Sequence, residues 1–194
     1  MMSQDKNRFI LKPLVEFLVS KGVHPNLITV FSFLVTSLGA IWIILKVPLI
    51  AFLWFLLGVP LDAVDGYVAR ISGRVSRFGA FLDSTLDRVA DSIVFLSLIF
   101  AFEKDKFLLF FLSLCLVSAY LISYTRARVE GLGENLTEGL MSRGPRFAGF
   151  LILLLVWEFF GEFWFKLLLP IYSLLLVITV FQRIFLAYKK LKLK

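Results

Sequence analysis

The stretch Asp62-Ala63-Val64-Asp65-Gly66-Tyr67-Val68-Ala69-Arg70 is followed, after eight residues, by Gly79-Ala80-Phe81-Leu82-Asp83-Ser84-Thr85-Leu86-Asp87. Each half continues an apolar segment and carries a pair of carboxylates. Asp62 and Asp65 are spaced i,i+3 and Asp83 and Asp87 i,i+4, so each pair projects from one face of a helix. A short connection makes the two helices a hairpin that gathers four carboxylates. An aspartate at the centre of a membrane helix costs about 2.5–3.5 kcal/mol on insertion scales, so these groups need a common compensation. Clustered anions repel or retain protons unless a cation sits among them, and all-oxygen donors suit Mg²⁺ or Mn²⁺. Read from the residues alone, a proton or ion relay and structural pairing with Arg70, Arg74, Arg77 or Arg88 stand beside the metal centre. Gly58, Gly66, Gly73 and Gly79 permit close approach, and Pro60 is expected to kink the first helix just before Asp62.

Working outward, the 194 residues are 59% hydrophobic and 16% aromatic, with 22 Phe. Soluble domains are about 45–50% apolar. A mean hydropathy of +0.88 excludes a disordered chain and a water-soluble core of this size. A bilayer core about 30 Å thick takes roughly 20 apolar residues per helix. Six segments of that kind are predicted near Leu27–Leu45, Pro48–Arg70, Gly79–Phe102, Phe107–Arg126, Phe147–Phe165 and Lys166–Tyr188. Ahead of them, Arg8–Lys21 mixes Phe9, Ile10, Leu14 and Phe17 with Lys12, Glu16 and Lys21, which predicts an interfacial amphipathic helix. The expected fold class is therefore an all-α integral membrane protein, six transmembrane helices behind an N-terminal interfacial helix, in one domain over residues 1–194. The first long apolar run begins only after residue 26, which does not fit a signal peptide.

Most of the 21 Lys and Arg fall before the first span, after the second and fourth, and at the chain's end, so both termini and the carboxylate hairpin are expected on the cytoplasmic face. The +7 charge sits between apolar spans and forms no continuous stripe, which points to membrane topology and anionic ligands, not to nucleic acid. The single cysteine, Cys115, lies in an apolar run and reads as a buried thiol without a disulfide. His24 reads as an interfacial loop residue, with no His-based metal site around it.

Written out, D-x2-D-G-x2-A-R-x8-G-x3-D-x3-D across Asp62–Asp87 resembles the full signature of the CDP-alcohol phosphatidyltransferase family. The resemblance covers nearly the whole chain and implies an interfacial helix, six spans and a homodimer. By resemblance, Asp62, Asp65, Asp83 and Asp87 hold the metal, expected as two Mg²⁺ ions with Mn²⁺ as substitute, and Asp87 is also the proton acceptor for the incoming alcohol. Gly66, Ala69, Arg70, Ser76 and Gly79 are implied to bind the CDP-lipid, CDP-diacylglycerol or CDP-archaeol. Pro25-Asn26-Leu27-Ile28-Thr29 resembles the family's P-N-x-x-T element, which places Asn26, Leu27, Ile28 and Thr29 near the nucleotide. From the residues alone it is a Pro turn with an Asn or Thr cap. Asp91, one turn past Asp87, reads as orienting Asp87 or pairing with Arg88, without a catalytic role.

The signature serves many acceptors. Arg126-Ala-Arg128-Val-Glu130 and Ser142-Arg143-Gly-Pro-Arg146 resemble the K/R-A-R-x-E and E-R-P-E-R elements of phosphatidylinositol phosphate and archaetidylinositol phosphate synthases, although the second element lacks its two Glu. That implies a phosphorylated polyol, inositol 1-phosphate, gripped by Arg126 and Arg146 with Arg128, Arg143 and Arg183, whose planar forks suit a dianionic phosphate. On charge placement alone these arginines also serve positive-inside topology. The competing functions are phosphatidylglycerophosphate synthesis from glycerol 3-phosphate, di-inositol phosphate solute synthesis and, from a different class, cation or proton transport through the carboxylates.

Overall fold

A computed structural model describes residues 3–192, with side chains in the first helix from Lys12 onward. Arg8, Phe9 and Ile10 of the expected interfacial helix, and the terminal Lys194, lie outside those described side chains. Seven helices follow one another: α1 (Ser3–Ser20), α2 (Pro25–Ile44), α3 (Pro48–Ile71), α4 (Arg77–Ala101), α5 (Lys106–Glu130), α6 (Arg143–Phe160) and α7 (Glu162–Lys192). There is no strand among the described residues.

α2, α3, α5 and α7 are long and apolar enough to cross a membrane. α4 carries Asp83, Asp87, Arg88 and Asp91, while the 18-residue α6 carries Arg143, Arg146 and Glu158, so both fall short of that standard on charge. Many large apolar side chains are exposed, among them Phe31, Phe81, Phe159, Phe163 and Phe181. A water-soluble protein rarely exposes so much contiguous apolar surface, and lipid contact is its natural cover. The chain is an all-helical integral membrane protein.

Two compact units are present: residues up to Leu38 with Leu53–Ala90, and Gly39–Phe52 with Asp91 onward. α2, α3 and α4 are each divided between them. In the first unit Val15, Ile28, Val64 and Val68 form a buried cluster, covered by Leu18, Val19, Val23 and Tyr67. α1 thus joins α2 and α3 through its apolar side, leaving Lys12, Glu16 and Phe17 exposed. α3 runs unbroken through Pro60, and at Gly58 it meets α2: a Cβ on Gly58 would stand 2.5 Å from Thr36 Oγ1. The Ser32 hydroxyl donates to the Gly58 carbonyl at 3.0 Å, about one turn before Asp62.

In the second unit α7 packs along α5 and α6. Phe102, Trp157 and Phe165 cluster with ring centroids 4.8–5.5 Å apart. The buried hydroxyls of Ser97, Ser173 and Thr179 return to carbonyls three or four residues earlier, which satisfies them without a partner helix. The break between the last two helices falls at Gly161, not at the expected junction of residues 165 and 166. Gly161 has φ +86°, which only glycine adopts freely, and Phe165 beyond it is fully buried. Lys166, whose charge suggested a span end, instead donates to Asp105, the N-cap of α5. That contact, with the Leu108 and Phe107 amides, holds the Asp105 carboxyl below the usual range. α5 also runs to Glu130, past the expected end at Arg126, so Arg126 and Arg128 close a helix, where cations complement its dipole.

Gly58→Ala is expected to destabilise the protein by roughly 1–3 kcal/mol through overpacking, and Thr36→Ala in the same chain should recover most of that loss. Thermal unfolding in detergent reads both changes.

Candidate active site

Pro48 to Ile71 forms α3 because apolar residues continue to Leu61; Gly73, at φ +67°, then turns the chain within five residues to α4. Ser76 caps α4, its Oγ accepting the Gly79 amide at 2.9 Å. This hairpin turns the two acidic segments toward each other. Ligand oxygens of Asp62, Asp83 and Asp87 all lie within 4.8 Å of one another, and all three residues are half-buried. Like charges at that distance call for a cation, and three carboxylates offer the hard oxygen donors that Mg²⁺ and Mn²⁺ take. The residues therefore fit a divalent metal on the chemistry of their donors.

Asp65, the fourth expected ligand, is 7% exposed and accepts a hydrogen bond from the Thr29 hydroxyl. It stands outside the group of three. Thr29 and Asn26 lie inside α2, which starts at Pro25, so neither is the cap that the residues alone suggested. Thr29 instead supplies the proton that a buried carboxylate needs. Ile28 is buried in the apolar cluster and Leu27 is 65% exposed, so adjacent residues of one motif differ in their surroundings.

Asn26, Ser76 and Gly79 come together: a Cβ on Gly79 would lie 3.0 Å from Ser76 Oγ and 3.1 Å from Asn26 Oδ1. At Gly66 a Cβ would meet only the Arg70 guanidinium, at 3.6 Å or more. Packing within the protein leaves room for a side chain there. Arg70 is exposed and its guanidinium lies 4.9 Å from the Tyr67 ring centroid, while Ala69 is half-buried. Arg88 stays beside Asp87, 3.7 Å from Oδ2, and donates to the Ser84 carbonyl.

The five arginines expected at an acceptor phosphate all belong to the second unit and divide by burial. Arg126, Arg128 and Arg143 are exposed, Arg126 pairing with Glu130 at 2.8 Å. Arg146 and Arg183 are buried, at 8% and 3% exposure. Arg183 donates from Nε to the Glu138 carbonyl at 3.0 Å and from Nη1 to the Ile122 carbonyl. It thereby fastens the 131–142 connection to α7 and α5. The same connection is held by Leu140 N to Gln182, Met141 N to Thr179 and Lys190 to Asn135 and Glu138. Lys190 keeps the Glu138 carboxyl below its usual range.

Arg146 Nη2 donates to Asp91 Oδ2 at 2.8 Å. Asp91 was expected to turn to Asp87 or Arg88; it pairs across to α6 instead. Thr179, Gln182 and Tyr172 give no signal in the sequence, since a lone polar residue in an apolar helix carries no period.

A family profile described as CDP-alcohol phosphatidyltransferase matches residues 22–185. The chain is 34% identical over 178 residues to the archaetidylinositol phosphate synthase of Pyrococcus horikoshii, covering 91% of this chain and 89% of that one. Among solved structures it is similar to the phosphatidylinositol phosphate synthase of Mycobacterium tuberculosis with CDP-DAG bound: TM-score 0.84, 29% identity, 92% of this chain and 94% of that chain covered. A second structure of that enzyme, in complex with manganese and citrate, matches with TM-score 0.82 at 29% identity, over 91% of this chain and 88% of that one.

Thr29→Val keeps the shape of the side chain and removes the donor to Asp65. It should lower stability by about 1–3 kcal/mol, whereas Thr29→Ser should retain most of it, as read by thermal unfolding without metal.

Proposed function

The chain belongs to the CDP-alcohol phosphatidyltransferase family, and from that premise we propose that it moves a phosphatidyl group from CDP-diacylglycerol or its archaeol counterpart to inositol 1-phosphate, releasing CMP. One observation carries the reading: Asp62, Asp83 and Asp87 converge from two helices in the register of the family signature. The relatives named for inositol phosphate products support the choice of acceptor.

In this reading Asp87 takes the proton from the acceptor hydroxyl as its oxygen bonds to the lipid-bearing phosphorus. The bond from that phosphorus to the CMP oxygen breaks, and CMP leaves with the electron pair. Mg²⁺, with Mn²⁺ as substitute and two ions as the proposed number, held by Asp62, Asp65, Asp83 and Asp87, supplies neutralising charge for the pyrophosphate and the departing CMP. Arg70 binds a donor phosphate through its fork, and Gly66 leaves the nucleotide its space. Asn26, Leu27, Ile28, Thr29, Ala69, Ser76 and Gly79 complete the donor side. Asp65 is set in place by Thr29. Arg126 and Arg146 bind the acceptor phosphate, with Arg128, Arg143 and Arg183 around them. We also propose six spans in one membrane domain, α1 at the interface, a cytoplasmic active site and termini, and a homodimer. The run of basic residues near the hairpin and at the C-terminus supports that orientation.

Asp87→Asn is expected to abolish turnover while CDP-diacylglycerol binding partly survives. Asp62→Asn or Asp65→Asn should weaken both metal and nucleotide binding, and chelation should inactivate reversibly. CMP release in detergent measures turnover, and its dependence on acceptor and Mg²⁺ separates the enzyme from a transporter.

Acceptor choice is read with labelled CDP-diacylglycerol offered inositol 1-phosphate, glycerol 3-phosphate, free inositol or serine in separate reactions. Inositol 1-phosphate should give the highest kcat/KM, and preference for glycerol 3-phosphate would overturn that assignment. Arg146→Ala should raise the acceptor KM by about 10–100-fold, corresponding to a lost charge-assisted bond of about 1.5–3 kcal/mol.

A further inference from the structure

Asp91 is the acidic residue of α4 that neither the eight-position signature nor the three-carboxylate group uses. Its Oδ2 accepts from Arg146 Nη2 at 2.8 Å, and the two ends of that pair are unlike: the arginine side chain is 10% exposed, the aspartate side chain 41%. The guanidinium is thus largely enclosed while the carboxylate is partly exposed. A second contact fixes the same arginine from another direction. The Tyr172 hydroxyl donates to the Arg146 carbonyl at 3.0 Å. That ring is itself closely held, since a Cβ on Gly149 would stand 3.0 Å from Tyr172 Cε2. Tyr172 on α7 therefore sets where the Arg146 backbone lies, and Asp91 on α4 sets where its guanidinium points.

Two physical consequences follow. A buried guanidinium without a counter-ion is costly, so Asp91 supplies the counter-charge beside the enclosed Arg146. An arginine free to rotate also loses side-chain entropy on meeting a ligand, whereas one already held loses less. The fork has five N–H donors and the aspartate takes only part of it.

We propose that Asp91 is a positioning residue for the acceptor: it orients the Arg146 fork so that its remaining N–H groups receive the acceptor's phosphate. This rests on the assignment of Arg146 to the acceptor phosphate made above. Asp91 touches neither substrate in this scheme and acts through Arg146 alone. Its effect belongs to acceptor binding and leaves the donor and the metal untouched.

The test uses the full-length chain in detergent with CDP-diacylglycerol, inositol 1-phosphate and Mg²⁺, comparing Asp91→Asn, Asp91→Glu, Arg146→Ala and the Asp91→Asn/Arg146→Ala double variant. Asp91→Asn should raise the acceptor KM by roughly 10-fold, with the CDP-diacylglycerol KM and the Mg²⁺ requirement within about two-fold of wild type. Asp91→Glu should recover part of that loss, and Asp91→Asn should add nothing once Arg146 is Ala. If Arg146→Ala leaves the acceptor KM unchanged, the assignment of Arg146 itself fails. If Arg146→Ala raises it but Asp91→Asn does not, the positioning role fails alone. Equal increases in both substrate KM values, a shifted Mg²⁺ requirement or additive effects in the double variant would likewise overturn it. Should Asp91→Asn not purify folded, Asp91→Glu decides: its acceptor KM must exceed wild type while its donor KM does not.

Discussion

Three carboxylates within 4.8 Å of one another, in a protein whose surface is largely hydrocarbon, set the terms for what surrounds them. Mutual repulsion opposes that approach, and an apolar setting strengthens it by lowering the local dielectric. The fold brings the charges together through a five-residue turn between α3 and α4 and the helical spacing of the aspartates, and Arg88 stands 3.7 Å from Asp87. A divalent ion held by these carboxylates, as proposed above, would relieve the repulsion that the backbone enforces. Binding energy for the metal and the arrangement of the hairpin are two sides of one balance.

The surroundings of that group show how polar atoms are managed where water is scarce. Asp65 is buried and receives the Thr29 hydroxyl, so the P-N-x-x-T element contributes a hydrogen-bond donor to the hairpin. Gly58 and Ser32 bring α2 close enough for that contact, the one by lacking a side chain, the other by binding the α3 carbonyl. Removing any one of these small groups would act at a distance, through the position of a carboxylate.

In the second unit, charge is organised by a different device. α7 is 31 residues long, and its polar positions Thr179, Gln182, Arg183 and Lys190 all receive the 131–142 connection. An irregular segment has backbone donors and acceptors that need partners, and one helix face supplies them in register. Arg183 spends two of its N–H groups on carbonyls, so its part is mechanical as well as electrostatic. The connection that this face secures leads directly into α6, whose first turn carries Arg143 and Arg146.

Hydrophobic run length and the i,i+3 and i,i+4 spacing of aspartates are local properties, and through them the sequence by itself determined the helical membrane class, the places of α2 to α5 within a few residues, and the carboxylate hairpin. The D-x2-D-G-x2-A-R-x8-G-x3-D-x3-D register likewise led to the family. Other features rest on pairings between residues far apart in the chain, which no local period encodes. Lys166 looked like the end of a span until Asp105, 61 residues away, received it, and the helix break moved to Gly161. Asp91 had Asp87 and Arg88 as its near neighbours in sequence, yet its partner is Arg146, 55 residues on. A charge in an apolar helix must find a counter-charge, and which one it finds is decided by which helices pack together, so only the tertiary structure could separate the buried arginines from the exposed ones.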